Sequence, residues 1–271
     1  MSNTQPFLYQ RDGDVGILSL NLPERLNPIA PELQTGLRAK LAELRDEGQV
    51  RALVLTGEGR AFCSGADLSA GGITAGSSTG TTQGERTAEA MEALSNRLIE
   101  DLRTLPFPVV SAINGAAAGA GVGLALAADV VIAARSAYFY LPFMPRLGIV
   151  PDLGTTWFLE RFLGRARAVG LTLLGDKLPA EKAAQWGLIW ECVDDAELRP
   201  KALALAQRLA AIPAHAAKEV RAAYESAGNQ SLVAQMRYEA ERQRELLDRP
   251  SFAEGVRAFR EKRDPDFRRV A

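Results

Sequence analysis

The stretch VVSAINGAAAGAGVGLALAADVVIAA (109–134) decides the architecture. Val109 to Ile113 follows Pro106 and Pro108 and is a short apolar run of the kind that forms a buried strand. Asn114 and Gly115 turn the chain, a run of Gly and Ala opens a helix near Gly119 to Ala127, and Val130 to Ala134 supplies another buried strand. Upstream the same alternation recurs. Asp14 to Leu20 reads as a strand broken by Pro23 and Pro28, and Arg51 to Thr56 (RALVLT) as a second one. Between them Leu33, Leu37, Leu41 and Leu44 recur at helical spacing from Pro31 to Gly48, with proline suited to a first turn and glycine to a stop, so the unit is βαβ. The class is α/β.

Further along, the tract AGGITAGSSTGTTQG (70–84) has too little apolar surface to offset its ordering entropy and is expected to be a mobile loop, a candidate lid. A charged helix is expected from Glu85 to Thr104 and another from Thr155 to Leu163. After Val193 the pattern is helical only, at about 197–211, 214–227, 232–247 and 252–262. This divides the chain into an α/β core (1–195) and a helical C-terminal region (196–271), with no internal repeat.

With 271 residues the chain is long enough to bury roughly three quarters of its unfolded surface. Thirty-two Lys and Arg against thirty-three Asp and Glu leave a net charge of −1, which supplies no overall field for nucleic acid or anionic lipid. Cys63 and Cys192 lack metal-ligand spacing, and residues 1–14 show no basic-then-apolar leader, so a reduced, cytoplasmic protein with no metal is expected. The longest apolar stretch, around 116–134, is interrupted by glycines and Asp129 and falls short of a membrane span.

Two glycine-rich constellations carry the chemistry. GEGRAFCSGADL (57–68) leaves a strand, and its glycines allow amides such as that of Ala66 to converge on a developing oxyanion; an ordinary strand-to-loop turn is the alternative. NGAAAGAGVGL (114–124) delivers small residues to a helix start, where free N–H groups and a positive dipole favour an oxyanion; close packing through small residues is the alternative. Its GxGxG spelling is not the dinucleotide fingerprint GxGxxG.

Together these two loops resemble the crotonase (enoyl-CoA hydratase/isomerase) superfamily, and the likeness runs from LPERLNP (22–28) to EGVRAFREK (254–262). The resemblance implies a repeated ββα superhelix with a C-terminal helical region. It also implies a CoA thioester substrate, no covalently bound cofactor, and a homo-oligomer that is a trimer or a dimer of trimers. By position, the two N–H donors to the thioester oxygen would be Ala66 and Ala120. Arg25 and Leu26 would lie beside the nucleotide, the backbone of Ala61, Ser64, Ala66 and Leu68 would hold adenine, and Phe259 and Lys262 would reach it from the C-terminal helices, often those of a neighbouring subunit.

Hydratases of this superfamily activate water with two glutamates. At the matching positions stand Gly123 and Met144, neither of which exchanges a proton. The remaining acid is Asp152 in LGIVPDLGTT (147–156), which either caps the following helix or faces the acyl group as a base or nucleophile. The stretch 147–195 is most similar to the branch of isomerases that handle 2-(1,2-epoxy-1,2-dihydrophenyl)acetyl-CoA in phenylacetate breakdown. That likeness implies an isomerase with one carboxylate and one oxyanion hole. A Δ3,Δ2-enoyl-CoA isomerase of fatty acid metabolism, a hydratase, an aryl-CoA dehalogenase and a noncatalytic assembly or RNA-binding relative are the alternatives. Tyr140, Phe143 and Met144, with Tyr138 nearby, are candidates for an aromatic acyl pocket, or else core. Asp67, Asp129, His215 and Cys63 are read as structural.

Overall fold

The computed structural model describes residues 5–67 and 80–270. The chain opens with a hairpin, β1 (Phe7–Asp12) and β2 (Val15–Leu20), before α1 (Pro31–Glu47), which has Pro31 in its first turn and stops at Gly48 in the left-handed region. There follow β3 (Ala52–Gly57) and β4 (Ala61–Cys63), then α2 (Gln83–Ala90), which passes through a π-helical stretch at Met91–Ser95 into α3 (Asn96–Thr104). Next come β5 (Val109–Ile113), β6 (Ala116–Ala118), α4 (Ala120–Leu126), β7 (Val130–Ala134) and β8 (Tyr138–Tyr140). After a second π-helical stretch, Phe143–Leu147, the chain forms α5 (Thr155–Leu163), α6 (Arg165–Leu174), β9 (Leu178–Pro179), α7 (Ala180–Trp186) and β10 (Glu191–Val193). Helices α8 (Leu198–Ala210), α9 (Ala216–Ala227), α10 (Leu232–Leu247) and α11 (Pro250–Glu261) complete it.

Three times in succession a strand enters a six-stranded sheet (β1-β2-β3-β5-β7-β10) and the next enters a four-stranded one (β4-β6-β8-β9), after which the chain returns through helix. This is the repeated ββα superhelix expected from the resemblance. The large sheet is parallel except at the β1 edge, and β3, β5 and β7 are predominantly apolar, with Thr56 and Ser111 the buried polar exceptions, because helices cover the sheet. Leu53, Leu55 and Ile113 are completely enclosed, each contributing about 1.5–3 kcal/mol of burial.

Helix α8 packs on β2, β3, β5 and β7 with Ala202, Ala206 and Ala210 buried, so the helical region expected from residue 196 begins with a helix of the core. The tract expected to be a loop to Gly84 ends sooner. Thr82 and Glu85 form a reciprocal capping box, which starts α2 at Gln83; residues 70–79 lie outside the described ones. No helix among the described residues is long and apolar enough to cross a membrane.

Candidate active site

Two asparagines, the first buried and the second half-buried, fix the loops that leave the large sheet. Asn27, fully enclosed, accepts from the Leu22 N–H and donates to the carbonyls of Glu58 and Ala61. Asn114 accepts from the Gly57 N–H and donates to Gly59 and Ala61. Ala61 is buried and its carbonyl already holds two donors, and the Ser64 N–H is hydrogen-bonded to the Leu26 carbonyl. Leu68 lies outside the described residues.

The loop then turns at Gly65, whose φ of +90° excludes a side chain, as does the closeness of the next repeat: a Cβ there would lie 2.7 Å from the Ala118 carbonyl and 3.1 Å from the Ala120 nitrogen. Gly119 (φ +53°, ψ −131°) makes the reciprocal turn into α4. The backbones of 64–66 and 118–120 are thereby pressed together, and neither the Ala66 nor the Ala120 N–H has a hydrogen-bond partner among the described residues. Ala120 is the first residue of α4, where the helix dipole adds to the attraction for negative charge. Packing also uses the small residues. A Cβ on Gly121 would meet the Cys63 carbonyl at 2.6 Å, and one on Gly123 the Leu153 carbonyl at 2.6 Å.

That last contact seats the acid. Leu153, buried at φ +49°, and Gly154 at φ +71° form the turn that precedes α5, and it is the Asp152 backbone carbonyl that accepts from the Thr155 N–H. The Asp152 side chain does not cap the helix. Its Oδ1 is enclosed without a hydrogen-bond partner, and burial raises its carboxyl from the ordinary 3.8 to about 6. Asp152, Ala66 and Ala120 border one cavity of about 640 Å³, together with Arg25 and Asp67, which form an ion pair. A carboxylate poised near neutrality beside two unpaired amides suits proton transfer at a carbon next to a carbonyl.

Not every expected residue is gathered there. Tyr140, Phe143 and Met144 do not border the cavity: Phe143 belongs to the core, its ring close to Gly119, while the Tyr140 carbonyl holds the Gly119 N–H at 2.9 Å. The wall is made instead by Ile29, Gln34, Leu153 and, from the π-helical stretch, Met91 and Ser95. That wall went unread because 85–104 looks like a charged surface helix; a sulfur and a hydroxyl beside the π turn were the available signals. Phe259, 85% exposed, and Lys262 lie at the end of α11 and border neither this cavity nor its mouth; Phe259 faces a separate hollow with Phe252 and Phe267. Cys63 is buried, its thiol pushed up to about 12, which leaves it without nucleophilic character. Asp129 is held by Arg221 and the Val109 N–H, as a structural acid should be.

The sequence matches the family described as enoyl-CoA hydratase/isomerase over residues 10–269. An Escherichia coli protein named 1,2-epoxyphenylacetyl-CoA isomerase is 43% identical over 250 residues, which span 92% of this chain and 93% of that one. A Rhodobacter capsulatus protein named "Probable enoyl-CoA hydratase" is 42% identical over 96% of each chain. Among solved structures, a probable enoyl-CoA hydratase/isomerase from Mycobacterium abscessus superposes with a TM-score of 0.86 at 31% identity, covering 98% of this chain and all of the other.

Proposed function

This chain belongs to the enoyl-CoA hydratase/isomerase family, and from that premise we propose that it is an acyl-CoA isomerase working with one carboxylate, Asp152, and an oxyanion hole made by the Ala66 and Ala120 amides. The observation that carries this reading is the half-buried Asp152, its Oδ1 enclosed without a partner, sharing a cavity with two N–H groups that are unpaired among the described residues. The thioester oxygen sits between the amides, Asp152 removes a proton made acidic by the adjacent carbonyl or double bond, negative charge collects on the oxygen, and the proton returns at another carbon. The name of the Escherichia coli relative supports an acyl group akin to an epoxyphenylacetyl unit. The turn at Leu153 occupies the space beside Gly123 that a glutamate would need, which disfavours the two-glutamate route to water addition.

Arg25 and Leu26 are assigned to the nucleotide end of the same cleft. Phe259 and Lys262, standing off the cavity, are assigned there only from a neighbouring copy, in a trimer or dimer of trimers. The Rhodobacter capsulatus name favours hydration as a second reading, which would require Asp152 alone to activate water. Incubation with 3-enoyl-CoA and 2-enoyl-CoA in D₂O separates the two. Double-bond migration with deuterium uptake and no water addition, lost in Asp152→Asn, is the expected outcome; efficient hydration lost in Asp152→Asn would select the second reading, and hydration that survives it would overturn the role of Asp152 in both.

A further inference from the structure

Helix α1 buries five residues. Four are the leucines 33, 37, 41 and 44, and the fifth is Gln34. Gln34 is 6% exposed, and its Oε1 is enclosed without a hydrogen-bond partner among the described residues. An unpaired buried oxygen destabilises a fold, and a leucine on this face would avoid the cost. Native structures seldom leave such a group orphaned unless a ligand or water completes it. Ser111 and Thr155 also carry buried, unpaired hydroxyls, but neither borders the cavity of Ala66, Ala120 and Asp152; Gln34 does. The same cavity is lined by hydrocarbon from Ile29, Ala30, Pro31 and Leu153 and by polar groups that include Ser95 and Asp152, and none of these is hydrogen-bonded to the Gln34 oxygen. Asp152 has a partner in the proton it transfers under the proposed function. Gln34 has none.

We infer that Gln34 recognises an oxygen substituent on the acyl group, so that this chain takes acyl thioesters bearing a hydroxyl or ether-type oxygen in preference to plain hydrocarbon ones. The inference rests on the acyl-CoA reading. A carboxamide suits either oxygen, because Oε1 accepts from a hydroxyl and Nε2 donates to an ether oxygen. The discrimination comes from the orphan itself: a hydrocarbon acyl group packed against the amide leaves its oxygen unpaired, and an oxygenated one satisfies it.

The test is calorimetric titration of the full chain and of Gln34→Leu with hexanoyl-CoA and its 2-, 4- and 5-hydroxy forms, none of which has a double bond to move. Wild type is expected to bind at least one hydroxylated form about tenfold more tightly than hexanoyl-CoA. Gln34→Leu should lose that preference, keep its affinity for hexanoyl-CoA and melt at a higher temperature, since the orphaned oxygen is gone. Equal weakening across all four ligands would overturn the inference and assign the amide to the pantetheine arm. A lower melting temperature with the preference intact would also overturn it, leaving a structural glutamine. Absence of any thioester binding by wild type would sink the acyl-CoA reading and this inference with it. A failed isomerase assay with the Gln34 preference intact would remove only the catalytic role of Asp152.

Discussion

The two sheets are built on opposite principles. The six-stranded sheet buries Val, Leu and Ile side chains against helices, and its strands run five or six residues except at the β10 edge. The four-stranded sheet has strands of two or three residues, of which β6 is all alanine, and beside the active-site loops its backbones lie so close that a Cβ at Gly115 would lie 2.2 Å from the Arg60 carbonyl. One sheet gains stability from side-chain area. The other gives up side-chain bulk along β6 and at the glycines beside it so that main-chain amides can be placed, and it is this sheet that presents Ala66 and Ala120 to the cavity. Stability and function are therefore carried by adjacent but chemically different layers.

Substitutions can break this division or sharpen it. The largest effect is expected at the site: Asp152→Asn should lower isomerase turnover by about a thousandfold while leaving thermal stability equal or raised, as read by turnover and melting curves together. In the large sheet Leu55→Ala should do the reverse, costing about 3 kcal/mol in denaturant unfolding with little change in the turnover of the folded fraction. A comparable loss of turnover would mean that the two layers are not separable.

The pH dependence follows from the same buried acid. Because the folded chain holds the Asp152 proton more tightly than the unfolded one, its contribution is fully present below pH 3.8 and is lost as pH rises through about 6. Wild type should therefore lose up to about 3 kcal/mol relative to Asp152→Asn across that window, and kcat/KM should rise with an apparent pKa near 6. Parallel stability curves for the two proteins would place the carboxyl in water. Smallest of the four, Gly115→Ala should cost about 2 kcal/mol by overpacking β4 against β6. Unlike Leu55→Ala it should lower turnover too, because the strand it displaces leads to Ala66.

How far the sequence could be read follows the same line. The strands at 109–113 and 130–134 and the helix at 232–247 appear with the boundaries their periodicity implies, and α1 starts and stops at its Pro and Gly. Strands of three residues are too short to show a periodicity, so β6 passed for a turn and β4 for a loop. Among site residues, Ala66, Ala120 and Asp152 were legible from their motifs and do border one cavity. Tyr140, Phe143 and Met144 do not border it, and Phe143 lies in the core; an aromatic-rich stretch has the same composition in a core as in a pocket. Gln34 was passed over within a leucine-spaced helix, since spacing assigns a face but not what the face touches.

By itself the sequence determined the four inner strands of the large sheet, the helix that joins the first two of them, the two glycine-rich loops and the family they signify, because these depend on local conformation and apolar patterning. Whether Asp152 caps a helix or enters a cavity, whether an alanine amide is paired or free, and which side chains form the wall were decided only by the tertiary structure. Those properties belong to contacts between segments far apart in the chain, such as Gly123 against Leu153 and Gly65 against Ala120, and burial, which raises the Asp152 carboxyl toward neutrality, exists only once those segments have packed.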